Sequence, residues 1–370
     1  MVYIYQYLVY FCKPNTNIKM KEIVAKRIKS ARTLAGLSLR ELSQKMEGVV
    51  SHNAITKYEN GLMMPDSKVL LALAKALDVK IDYFFRPYNV TIESVEFRKK
   101  SKLSVKNSNS IHQKVSDDVE KYIELEGFLN ISSDFENPIS HIEIQTGEDV
   151  ENAVNYLLTT WKIGFNALPN VIELLEDKGI KIVELEEDEK FDGLSGWANK
   201  TIPVIVINKN YPIERKRFTA LHELGHLLLS FKAELEAKTI EKLCHRFAGA
   251  MLIPQETFLI EFGASRRKTS ISELIAIKES YGISIQAIMA RAKDLGFINE
   301  DRYIEFRIWL NKNIDRKKEI GFGQFVGKEN SGRFKQLIYR AAAEDIISMS
   351  KAANLANQKL ATFRDEFIAI

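Results

Sequence analysis

Apolar positions recur with helical spacing from the first well-patterned segment onward. Ile23, Ile28, Ala31 and Leu34 line one face of residues 22–35, and Gly36 ends the run. Leu39, Leu42 and Met46 share a face of the next segment, which Ser38 caps and Glu41 completes as a capping box. Ser51 caps a third segment, HNAITKYENG, closed by Gly61. Pro65 and Ser67 open a fourth, with Val69, Leu70, Leu73, Ala74 and Leu77 inward, and the apolar IDYFF supplies a short fifth. Residues 20–87 therefore read as a five-helix domain.

Residues 88–145 are polar and poorly periodic: KKSKLSVKNSNS reads as an exposed linker and 111–129 as a helix. From Val150 the pattern alternates. Helices are predicted at 154–161 and 170–177, Ile/Val-rich strands at 180–185 and 203–208, and long helices at 215–230 and 239–252, the last ended by Pro254. Residues 191–197, with two glycines, read as a turn ahead of a strand, with a substrate-binding edge as the alternative. Residues 271–298 read as a helix–Gly–Ser–helix pair, expected to take a structural role, with a nucleic-acid contact as the alternative. The stretch 301–370 holds two more helices, one with Phe334, Leu337, Ile338, Ala341 and Ala342 on one face, the other starting near Ser348. The fold class expected is mainly α with a small β-sheet (α+β). The divisions are an extension at 1–19, a domain at 20–87, a linker with a helix at 88–145, a second domain at 146–300 and a C-terminal helical region at 301–370.

Composition narrows this picture. A chain of 370 residues suggests two or three domains, and 45% hydrophobic with 28% charged residues is ordinary for a globular protein. The net charge of +4 says little, but between Met20 and Tyr88 twelve Lys/Arg stand against seven Asp/Glu, an excess suited to phosphate. Cys12 and Cys244 form no disulfide framework, which points to a reducing, cytoplasmic setting. The opening MVYIYQYLVYFC lacks the basic start of a signal peptide and is shorter than the about 20 residues that span a bilayer. No membrane partner is expected, and residues 1–19 read either as an extension ahead of a native start at Met20 or as a real but disordered tail.

On the third helix of the first domain, His52, Asn53, Thr56, Lys57 and Asn60 fall on the polar side, with Ser51 at its N-terminus. Asn can pair with adenine at two points, and Lys can reach guanine or phosphate. Periodicity by itself fits a five-helix protein-interaction module equally well. The segments AGLSLRELSQKM, VVSHNAITKYENG and PDSKVLLALAKALDV resemble the phage-repressor/Cro-type (XRE) helix-turn-helix family. That resemblance implies a double-stranded DNA operator as partner and a homodimer on paired half-sites.

The sharpest chemical signal is RFTALHELGHLLLS. His222 and His226 sit four residues apart, about 6 Å along a helix, so both imidazoles project from one face and can share a Zn²⁺. Glu223 stands beside them, placed to take a proton from water at the metal. A third ligand must come from elsewhere. Glu241 on the next helix is the leading candidate, Glu234 and Glu236 in the connector are weaker, and His245 one turn beyond Glu241 can hold it, bind metal or donate to substrate. Tyr211, Arg215 and His245 are candidate oxyanion donors. Gly225, a poor helix former, leaves room for a strand or a substrate.

WKIGFNALPNVIELLEDKGIKIVEL, FDGLSGWAN, IPVIVIN, RKRFTALHELGHLLLS and IEKLCHRFAGAMLIP resemble the ImmA/IrrE family of zinc metallopeptidases. The resemblance implies a zincin-like domain with His222, His226 and Glu241 as zinc ligands and Glu223 as general base. It further implies a narrow protein substrate such as a repressor. Two rival readings stand beside it: a transcription factor whose zinc domain is structural or sensory, and an antitoxin-like regulator whose second domain holds a partner.

Overall fold

The computed structural model describes residues 14–86, 92–93, 105–131 and 135–368, which fall into two compact units divided at Thr91 and again at Glu120. Most of the expected N-terminal extension and the start of the expected linker lie outside these residues.

In the first unit α1 (Pro14–Leu34) begins ahead of Met20, so the helical pattern extends into the stretch read as an extension. It is followed by α2 (Leu39–Lys45), α3 (His52–Glu59) and α4 (Ser67–Leu77). The capping box forms as the sequence dictates: Ser38 Oγ accepts from Glu41 N at 3.2 Å, and Glu41 Oε2 accepts from Ser38 N at 2.6 Å. Asp66, and not Ser67, caps α4 through Val69 N at 2.8 Å. IDYFF forms a 3₁₀ turn, Ile81–Phe85, whose Tyr83 and Phe84 enter the core with Ile28, Leu42, Ile55 and Leu73. Arg32 grips Glu59 with two hydrogen bonds of 2.6 and 2.8 Å, tying α1 to α3. Arg27, 1% exposed, donates to Glu120 Oε2 at 2.6 Å and to the Arg86 carbonyl at 3.0 Å. Burial, then the Asp117 charge, pushes the neighbouring Tyr83 phenol up to about 12.

A four-stranded sheet carries the second unit, in the order β1 (Ile92–Glu93), β4 (Gly193–Ala198), β5 (Ile202–Asn208), β3 (Lys181–Leu185). The helix α5 (Val105–Phe128) starts within the expected linker, and β2 (Glu143–Ile144) pairs in parallel with β6 (Ser230–Phe231). The all-buried Ile/Val run of β5 lies between β4, antiparallel to it, and β3, parallel to it. The strand β4 replaces the turn expected at 191–197. Gly193, Ser195 and Gly196 hide it in the sequence because they are poor strand formers. The first of these glycines is needed for space: a Cβ at Gly193 would stand 2.6 Å from Thr219 Cγ2 and 2.9 Å from the Val206 carbonyl.

Around the sheet stand α6 (Gly147–Thr160), α7 (Val171–Asp177), α8 (Ile213–Leu228), α9 (Ala237–Leu252), α10 (Gln255–Phe262), α11 (Ile271–Tyr281) and α12 (Ile285–Asp294). The α11–α12 pair contributes Leu274, Ile277, Ile285 and Ile288 to the main core, the structural role expected of it. At Gly225 a Cβ would lie 3.3 Å from Phe247 Cδ1 and 3.4 Å from Cys244 Cα, so this glycine makes room for helix α9, and not for a strand or a substrate.

Five helices follow where two were expected: α13 (Glu300–Asn311), α14 (Ile314–Lys317), α15 (Arg333–Ala343), α16 (Met349–Leu355) and α17 (Leu360–Glu366). Phe306 and Leu310 of α13 join the core that α8 occupies, whereas Leu337, Ile338, Ala341 and Phe363 pack with Tyr122 and Leu125 of α5. Glu319 accepts from the N-terminal amides of α12, Ile285 N at 3.2 Å and Gln286 N at 3.0 Å, and from Lys278 Nζ at 3.0 Å. Glu329 does the same at α7, accepting from Val171 N at 2.9 Å and Ile172 N at 3.0 Å while paired with Arg217 of α8. No helix among the described residues is long and apolar enough to cross a membrane.

Candidate metal centre and nucleic-acid interface

Helix α8 places His222 and His226 one turn apart with their Nε2 atoms facing at 3.2 Å. Because Gly225 lets α9 approach closely, Glu241 reaches both rings: its Oε2 is 3.6 Å from His222 Nε2 and its Oε1 is 3.5 Å from His226 Nε2. All three ligand atoms lie within 4.8 Å of one another. These separations suit a metal. Bonds of about 2.0–2.1 Å in a tetrahedral site put ligand atoms about 3.3–3.4 Å apart. The donor set, two imidazoles and one carboxylate, is one that zinc takes in catalytic sites with a position left open. Glu234 and Glu236 are exposed in the connector and stand outside this cluster.

Glu223 is 3% exposed, and its Oε2 accepts a 2.8 Å hydrogen bond from Ser195 Oγ on β4. Ser195, also 3% exposed, is unmarked in the sequence, because a serine in GLSG carries no metal or base motif and its glycine-rich strand resembles a turn. A second unrecognised neighbour is Cys244 of α9, buried with its Sγ 3.5 Å from His226 Nδ1. A group on the far ring nitrogen fixes which way a liganding imidazole faces.

The three candidate oxyanion donors separate. The His245 ring is exposed, with its centroid 4.3 Å from that of His222 and 5.8 Å from that of Phe218, at the open side of the cluster. Tyr211 donates its hydroxyl to the Glu189 carbonyl at 2.9 Å. Its phenol is pushed up to about 12 by burial and then by the Asp192 charge. Arg215 pairs with Asp192, and its guanidinium lies 3.6 Å from the centroid of the Tyr211 ring. Seven residues ahead of His222, Arg215 stands about 10 Å away along the helix.

In the first unit the sequence-selected side chains divide by exposure. Asn53, Lys57, Asn60 and the cap Ser51 are exposed, His52 and Thr56 half-buried, while Ile55 and Tyr58 turn inward. Ser51 Oγ accepts from Ala54 N at 3.3 Å, which starts α3 at His52, and Thr56 Oγ1 donates to the His52 carbonyl at 3.0 Å. The second helix of this pair thus offers a polar face free of core duty.

Comparisons with known proteins cover both of these regions. Residues 28–84 match the helix-turn-helix family model, and residues 175–293 match the model of the IrrE N-terminal-like domain, a peptidase family. An uncharacterized HTH-type transcriptional regulator of Rickettsia conorii is 36% identical over 67 residues, which are 18% of this chain and 52% of that protein. The chain thus spans about half the length of this curated relative. Together the matches give the chain a helix-turn-helix stretch and a stretch similar to a metallopeptidase family. Its first unit resembles the XRE-type helix-turn-helix family, and its second the IrrE N-terminal-like peptidase family.

Proposed function

We propose that this protein is a cytoplasmic transcriptional regulator that binds operator DNA through α3 and cleaves a specific protein, such as a repressor, with a zinc endopeptidase centre in its second unit. The observation that carries this reading is the convergence of His222, His226 and Glu241 on one point, with the carboxylate of Glu223 on the same helix and held by Ser195. His222, His226 and Glu241 would hold the ion. When bound, zinc supplies a Lewis acid that polarises a peptide carbonyl and makes a water easier to deprotonate. Glu223 takes the proton of the attacking water and returns it to the leaving amine. The bond from Ser195 fixes one carboxylate oxygen for that task. His245, at the open side, is placed to donate to the developing oxyanion. On DNA, Asn53, Lys57 and Asn60 face the major groove, with Ser51, His52 and Thr56 at its border, and a homodimer spans paired half-sites.

New protein N-termini compared between cells carrying the natural chain and cells carrying Glu223→Gln test the peptidase. A neo-N-terminus found only with the natural chain identifies the substrate. Identical maps, with zinc still bound by both proteins, overturn the peptidase in favour of a structural, sensory or partner-holding zinc domain.

A further inference from the structure

A cleft of ≈ 1500 Å³ is lined by His245, whose ring neighbours that of His222, by Phe218, and by residues of α12, α13 and α14. Small-molecule sites enclose about 300–1,000 Å³, so this one suits a length of polymer. Its charges are sorted. Lys278 is paired with Glu319 at 3.0 Å, and Arg246 and Arg291 share Glu151 at 2.8 and 3.0 Å. Four further cations that line it, Lys242, Arg307, Lys317 and Lys318, are exposed and make no ion pair among the described residues. The acidic lining is of two kinds: Glu214, Asp294 and Glu319, each beside a lysine, and the loop residues 187–189 after β3.

We propose that this cleft binds the protein substrate through a carboxylate-rich segment flanking the scissile bond, its acidic side chains facing Lys242 of α9 and the Arg307–Lys318 side. The inference rests on the peptidase reading and gives its substrate a chemical class. Exposed cations without partners attract carboxylates over a Debye length of about 8 Å and add on-rate and selectivity more than raw affinity. The sorting of charge favours a polypeptide over a nucleic acid: a phosphate chain is anionic at every residue and is repelled by the 187–189 loop, whereas a peptide can alternate.

The test uses the zinc-loaded full-length chain with Glu223→Gln and three labelled ten-residue peptides, alternating serine with glutamate, glycine or lysine, followed by fluorescence anisotropy. The glutamate peptide is expected to bind on the order of tenfold more tightly than the glycine one, with the difference shrinking as salt rises. Combined Arg307→Glu, Lys317→Glu and Lys318→Glu, or Lys242→Glu alone, is expected to erase that preference, while Lys57→Glu on α3 leaves it intact. Equal binding of all three peptides overturns the proposal. So does a preference abolished only by Lys57→Glu, which places the anion on the helix-turn-helix. An oligothymidylate of matched charge that binds better than the glutamate peptide, and is lost with the cleft variants, overturns it in favour of nucleic acid. Because this assay reads binding without turnover, neo-N-termini in cells beside equal peptide binding would sink the inference and spare the peptidase. Selective acidic-peptide binding without neo-N-termini would remove the peptidase, and the scissile bond with it, and leave the cleft as an acidic-peptide binding site.

Discussion

Helices α3 and α8 both interrupt an amphipathic pattern with polar residues, and they turn those residues in opposite directions. On α3 only Ile55 and Tyr58 are buried, and Asn53, Lys57 and Asn60 face outward. On α8 the buried set includes Glu214, Lys216, Arg217, His222 and Glu223. The first helix can change its polar face without touching its core, because its exposed and buried residues lie on different sides. The second cannot. Its polar groups are held by partners from distant segments: Ser195 at Glu223, Glu241 at the histidines, Glu329 at Arg217. A buried charge is tolerated only when paired and hydrogen-bonded, so chemistry and fold are coupled there.

The largest effect that would break this contrast is expected at Arg217. Its guanidinium and the Glu329 carboxylate are both 0% exposed, and Arg217 also donates to the carbonyls of Leu168 at 2.7 Å and Gly282 at 3.1 Å. Arg217→Met strands Glu329 beside the amides of α7, and breaking a buried pair from one side costs about 3–5 kcal/mol. Denaturant unfolding of the full chain should show the loss in the transition of the second unit. A change below about 0.5 kcal/mol, the range of ordinary surface substitutions, would mean that the α8 network carries no stability.

The converse change is made on α3. Asn53→Ala or Lys57→Ala should leave unfolding within about 0.5 kcal/mol of the natural protein. Operator affinity, measured by titration at several salt concentrations, should fall by about 1–3 kcal/mol for a base contact, with about one unit less salt slope for a lysine on phosphate. Unaltered affinity and slope in both variants would remove α3 from the interface.

The same contrast explains what could be read from the sequence. The first unit was legible almost throughout, since caps at Ser38 and Ser51 and the spacing of Leu42, Ile55 and Leu73 act within a few residues of one another. Of the candidate centre, His222, Glu223 and His226 were legible because a helix fixes their relation. Glu241 followed from resemblance and from its place on the next helix. Ser195 was not legible: Gly193, Ser195 and Gly196 weaken the strand signal of β4, and only the close approach of Thr219 shows why position 193 is a glycine. Likewise Glu319 and Glu329 lie in a stretch with little periodicity, and their roles depend on helix ends far away in the sequence. Local rules report local structure, and the second unit closes its site with long-range contacts.

The smallest expected effect sharpens the contrast through pH. Glu176, at the end of α7, accepts from Ser331 Oγ at 2.6 Å and from the amides of Gly332 and Arg333, both at 3.3 Å. Burial nevertheless outweighs these bonds and holds its carboxyl above the usual carboxylate range. The folded state therefore binds this proton more tightly than the unfolded state. The group's contribution to stability is complete below its ordinary pKa and is lost as pH rises through the raised folded value. Glu176→Gln removes the titration but also disturbs the bonds to residues 331–333, so its effect has two parts. Lost hydrogen bonding shifts stability by the same amount at every pH, whereas the lost titration makes the natural protein weaken relative to the variant as pH climbs from the ordinary carboxylate range toward neutrality. Unfolding midpoints of both proteins across that range separate the two. A difference that stays constant with pH would mean that Glu176 titrates normally and that its surroundings are wetter than its burial implies.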